Sequence, residues 1–190
     1  MDFLPLGDKI RVFRRGVQYG VLANSLHSSL HSLVSAVLRI PIWWTQNDSL
    51  KFGAGITGGV AGDDGIGVQI TTARTSLDPV AVSFVYCHEV GHVVLNHYAS
   101  EEGSILYGFY TKREAEATAF AFAYLYVTKE CRIPSGGRTN CGAICAAVRR
   151  VYTCDRGFYW SNSSRIRDIE LVRRLWDEQN GRFPGDQMPQ

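Results

Sequence analysis

Apolar residues recur at helical spacing at Leu22, Leu26, Leu30, Leu33 and Val37, which predicts one helix ending before Pro41. Residues 1–17 ahead of it are mixed, with a short apolar alternation around Ile10, Val12 and Phe13. The run 40–44 is short, aromatic and β-branched, so it reads as a strand, and 50–56 is a second candidate. The glycine-rich stretch 53–67 carries turn chemistry at Asp63-Asp64-Gly65 and predicts a hairpin with a flexible loop. Ile66, Val68 and Ile70 alternate with Gly67, Gln69 and Thr71, the mark of a strand with one buried face. From Val82 to His97 the chain is almost continuously uncharged and apolar, interrupted by a few polar residues. A charged break at Glu101-Glu102-Gly103 separates it from a long helix expected over 111–128. Two more helices are expected over 141–152 and 164–179. The second presents Ile166, Ile169, Val172, Leu175 and Trp176 and stops at Asn180-Gly181.

Composition narrows the classes. The 190 residues are 45% hydrophobic and 20% charged, with a formal net charge of +2, an ordinary globular balance. That balance argues against a strongly basic nucleic-acid binder and against a disordered acidic chain. The arginines of the C-terminal part (Arg149, Arg150, Arg156, Arg165, Arg167, Arg173, Arg174 and Arg182) read as a solvated helical surface, since no helix-turn-helix or zinc-finger pattern accompanies them. The glycine-rich stretch has no Lys-Ser/Thr after it and no GxGxxG opening a helix, so it is not a nucleotide site. No basic start followed by a long apolar stretch is seen at the N-terminus, and apolar runs such as 117–127 fall short of the roughly 20 residues a bilayer requires. A soluble, cytoplasmic protein is the expectation. The five cysteines fit reduced thiols in that setting. Disulfides or a second zinc within 131–154 are weaker alternatives, because no CxxC pair occurs and no histidine follows His97.

The candidate chemistry lies in His88-Glu89-Val90-Gly91-His92. Residues four apart share a helix face, so both imidazoles can grip one Zn²⁺. Glu89 then stands as general base on a zinc-bound water, because zinc lowers the pKa of that water toward about 7. Val90, Gly91 and Val93 are uncharged, as a buried metal helix requires. By contrast His27 and His31, also four apart, are flanked by serines and read as surface residues. His97 lies about 140° round the helix from His92 and should point off the metal. Cys87 reads as a buried thiol, and Tyr107 and Tyr110 as packing residues.

Zinc needs a third ligand, and the next helix offers Glu114-Ala115-Glu116-Ala117-Thr118-Ala119-Phe120-Ala121. HExxH followed about twenty residues later by a Glu-x-x-Ala helix resembles the gluzincin-like peptidases, best the ImmA/IrrE family. The HtpX-like peptidases are second choice and share a histidine at the position of His97. The resemblance covers 68–134 and implies Glu114 as the metal ligand, with Glu116 as runner-up. The two lie about 200° apart on a helix, so only one can face the metal. The other should be solvated or paired with Lys112 or Arg113. Thr118 stands where the family usually has Asn or Asp, a weaker support for a motif histidine. The resemblance also implies that the strand 66–71 is an edge that pairs with extended substrate.

The expected fold is α+β: a small twisted, mostly antiparallel sheet packed on the HExxH helix and the Glu-bearing helix. Residues 1–134 would form a zincin-like domain and 135–190 a helical extension packed on it. The expected function is a zinc metallopeptidase hydrolysing a protein or peptide substrate, by family analogy a regulator. The alternatives are a zinc-binding regulatory protein and a phage–host interaction protein with little hydrolysis.

Overall fold

The computed structural model describes residues 5–47, 54–62, 65–73, 79–97 and 107–128. It is α+β, with elements in the order α1 (Leu6–Leu26), α2 (Leu30–Leu38), β1 (Ile42–Asn47), β2 (Ala54–Gly62), β3 (Gly65–Ala73), α3 (Pro79–Val94) and α4 (Tyr107–Val127). The expected helices over 141–152 and 164–179, the extension 135–190 and the cysteines after Cys87 lie outside the described residues.

The N-terminal helical region differs from the single helix expected over 22–37. Helix α1 begins at Leu6, with Val12, Phe13 and Val17 buried on its inner face. It stops at His27, whose left-handed φ of 51° turns the chain, and its amide bonds to the Ala23 carbonyl. α2 then restarts after Ser29. The leucine spacing continues across this break although Leu22 and Leu26 of α1 are exposed and Leu30 and Leu33 of α2 are buried, so spacing alone did not show it. His27 and His31 therefore lie on different elements. His27 is exposed, and His31 stands edge-on to Tyr86 with ring centroids 6.2 Å apart.

The sheet has the order β1-β3-β2. β2 pairs antiparallel with β3, as a hairpin expectation requires, but β1 pairs parallel to β3. The sheet is thus mixed rather than mostly antiparallel. The parallel pairing arises because β3, reached through the antiparallel β2, inserts between β2 and β1, and it starts where the Val68 amide donates to the Pro41 carbonyl at 2.8 Å. Gly67 is needed there, since a β-carbon would collide with the Pro41 carbonyl oxygen. β3 is the inner strand, with Gln69 opposite Trp43 on one side and Thr57 on the other. That overturns its expected role as a substrate-pairing edge.

Helix α3 lies with β2 and β3 on one side and α4 on the other, and α1 covers α4. α4 is buried from both flanks: Ala117, Phe120, Ala121, Phe122, Ala123 and Leu125 are all fully buried. Small residues let the three helices approach closely. A β-carbon on Gly16 would lie 2.6 Å from the Phe120 carbonyl oxygen and 2.7 Å from Ala123 Cβ. On the other flank, a β-carbon on Gly91 would lie 3.1 Å from the Phe120 ring. The near-contact of α3 with α4 sets the depth at which the motif side chains meet those of α4.

Candidate metal centre

The motif lies on the last turns of α3, with His88, Glu89 and His92 all buried. His88 Nε2 and His92 Nε2 approach to 3.1 Å, as the shared helix face requires. Glu114, on the facing α4, places Oε2 3.0 Å from His88 Nε2 and Oε1 3.3 Å from His92 Nε2. His88, His92 and Glu114 thus form a group that could hold a metal ion, the only such group of His, Cys, Asp and Glu among the described residues.

The outer ring nitrogens have protein partners. His88 Nδ1 is 3.3 Å from Thr118 Oγ1, one turn along α4 from Glu114. His92 Nδ1 is 2.9 Å from His97 Nδ1. When each Nδ1 carries its ring's proton, both Nε2 lone pairs face the Glu114 carboxylate. Three acceptors then converge on one point, an arrangement that a bound cation satisfies. Burial pushes the Glu114 carboxyl up, but where the rings instead carry protons on Nε2 the charges and hydrogen bonds of His88 and His92 hold it well below the ordinary carboxylate range. Burial pushes the neighbouring Glu89 carboxyl up; His88 and His92 oppose this and Glu114 adds to it.

Glu116 faces away from the group. It is not solvated, nor paired with Lys112 or Arg113 as expected. It is 7% exposed, and it accepts from Arg11 Nη2 at 3.3 Å and lies 3.1 Å from His97 Nε2. Lys112 instead pairs with Asp8 at 3.3 Å, and Arg113 donates to the His97 backbone carbonyl.

His97 is the residue whose role the helical wheel missed. Continued as a helix, it would lie about 140° from His92. The helix ends at Val94, however, and Asn96 adopts a left-handed φ of 59°. The His97 amide bonds to the His92 carbonyl at 2.9 Å, and the Asn96 amide bonds to the Val93 carbonyl at 3.0 Å. This pair of bonds is a Schellman termination, which folds the residue after the left-handed one back onto the third-last helical residue. Those two residues are His97 and His92, so the imidazoles meet. Asn96 was the available signal, since Asn tolerates the left-handed region better than most residues. Tyr107 and Tyr110 belong to the first turn of α4, but their side chains lie outside the described residues. Cys87 is buried, as expected.

Comparison of the chain with family models, with curated proteins and with solved structures finds no match in any of the three. Among the described residues no helix is long and apolar enough to cross a membrane.

Proposed function

We propose that the protein is a zinc-dependent metallopeptidase, with His88, His92 and Glu114 as ligands and Glu89 as general base. The observation that carries this is the convergence of two buried imidazoles and the partly buried Glu114 carboxylate on one point, with the buried Glu89 carboxyl next to His88 in the chain. A tetrahedral zinc with bonds of about 2.0–2.1 Å has ligand–ligand edges of about 3.3 Å. The approaches of 3.0, 3.1 and 3.3 Å fit one face of that tetrahedron. Two imidazoles and one carboxylate are also the donor set of hydrolytic zinc sites that keep an open position.

Bound zinc supplies a water acidified toward a pKa of about 7 and polarises the scissile carbonyl. The chain's own residues do the rest. Glu89 takes the proton of the attacking water and returns it to the leaving amine. Its burial favours the protonated carboxylic acid, which assists the first of these transfers, the uptake of the proton. Thr118 and His97 fix the rings of His88 and His92 from behind. The HExxH and Glu-x-x-Ala pattern shared with ImmA/IrrE-like peptidases supports the same reading. With β3 enclosed, the strand available to pair with an extended peptide is β2, the edge strand against α3.

Glu89→Gln tests the proposal. The purified variant should hold zinc as the wild type does, by elemental analysis, and lose roughly 10²- to 10⁴-fold of its peptide hydrolysis. Proteomics of cells carrying each form would find the substrate through cleavage products present only with the wild type. Undiminished cleavage by the variant would exclude this mechanism.

A further inference from the structure

We propose that His97 is a positioning residue for the metal site, and that Glu116 and Arg11 carry its constraint through to helix α1. This rests on the metal-site reading above.

Arg11 Nη2 donates to Glu116 Oε1 at 3.3 Å, across 105 positions of sequence. A guanidinium only donates, so Glu116 meets Arg11 as an acceptor and presents its other oxygen as a second acceptor. The other Glu116 oxygen lies 3.1 Å from His97 Nε2, and that nitrogen must therefore donate. A neutral His97 then has only a lone pair on Nδ1. That lone pair meets His92 Nδ1 at 2.9 Å, so the His92 nitrogen must donate in turn. The proton of His92 is thereby confined to Nδ1, and Nε2 is left with its lone pair toward His88 and Glu114. Each link dictates the next, beginning at a guanidinium on α1 and ending at a metal ligand on α3.

The tail of this chain is clamped. Asp8 and Arg11 on α1 face Lys112 and Glu116 on α4 in two pairs of opposite sign, at 3.3 Å each. The Arg113 guanidinium holds the His97 carbonyl, which fixes the backbone that carries the relaying imidazole. The docking of α1 on α4 is thus coupled to the orientation of one metal ligand.

The test measures zinc affinity by competition with a chromophoric chelator, and the visible spectrum of the cobalt-substituted protein, in a series of variants. His97→Ala should bind zinc about 10- to 100-fold more weakly and shift the cobalt bands. His97→Asn should recover part of the affinity, because its side-chain carbonyl can accept from His92 Nδ1. Glu116→Ala should weaken binding about 10-fold in the wild-type background and add nothing in the His97→Ala background, because the two act in series. Arg11→Ala removes a side chain that is 59% exposed. It should cost about two- to five-fold, and it reads the same chain if His97→Ala does not fold. Wild-type affinity in His97→Ala, or equal losses from Glu116→Ala in both backgrounds, would overturn the relay and leave the metal site standing. A wild-type protein that takes up neither zinc nor cobalt would overturn the metal site, and the relay with it.

Discussion

Glu89 is buried and Glu114 partly buried, and their surroundings drive the two carboxyls in opposite directions. Two imidazoles hold the Glu114 carboxyl down, whereas burial pushes Glu89 up. Because the unfolded chain ionises Glu89 more readily than the folded, metal-free chain does, the raised carboxyl costs stability at neutral pH. That cost disappears as pH falls through its raised value toward the ordinary carboxylate range. Glu89→Gln should thus melt at a higher temperature than the wild type at neutral pH with chelator present, and the gain should shrink in acid. A melting curve series against pH checks this, and an advantage independent of pH would contradict the assignment. Thr118 offers a second test at the same scale. Thr118→Val keeps the shape and removes the partner of His88 Nδ1, so zinc affinity should fall about 10-fold or more. Thr118→Asn should retain it, which competition titration would show.

Contact between elements sets the depth of the site, through glycines that permit close approach. Gly16 faces Phe120 and Ala123 of α4, and the groups it would strike include a backbone oxygen. Gly16→Ala must push α1 outward at a cost of about 1–3 kcal/mol. Helix propensity returns at most about 1 kcal/mol, so the variant should be destabilised. Gly7, with nothing within 4 Å of its added β-carbon, is the control. Gly7→Ala should be neutral or stabilise by up to about 1 kcal/mol. Urea denaturation of both variants decides it, and equal stability would refute close α1–α4 packing. The same outward shift lengthens the Arg11–Glu116 contact, so Gly16→Ala should also weaken zinc binding.

In the whole molecule the metal group ties α3 to α4, two elements joined by a connection outside the described residues. A ligand that binds only this juxtaposed state stabilises it by about 2.7 kcal/mol at a hundred times its Kd. Zinc at saturation should raise Tm and excess chelator should reverse the change. Glu114→Ala should abolish the response while the metal-free protein still folds, because the core of Phe13, Phe84, Phe120 and Phe122 does not include Glu114. A calorimetric scan with and without zinc measures this, and a zinc-dependent Tm in Glu114→Ala would assign the ligand elsewhere.

The sequence by itself determined what depends on local periodicity. Four-residue spacing within one helix put His88 and His92 on a common face, and the apolar alternation of Ile66, Val68 and Ile70 marked β3. Glu114 was legible through its distance from Ala117 and a family resemblance, while the wheel angle showed only that Glu116 had to point elsewhere. Where Glu116 points was not legible, because Arg11 lies 105 positions away and no local rule relates them. The break at His27 was hidden because the leucine spacing continues across it, from the exposed Leu22 and Leu26 to the buried Leu30 and Leu33. The parallel pairing of β1 and the enclosure of β3 depended on the insertion of β3 between β1 and β2, which no local pattern signals. His97 lies between the two cases. Its sequence neighbour Asn96 held the clue, but only the folded helix end, with its left-handed turn, brought the second imidazole onto the first. Spacing within an element is dictated by backbone geometry, and contact between elements by the packing of side chains that the chain order does not adjoin.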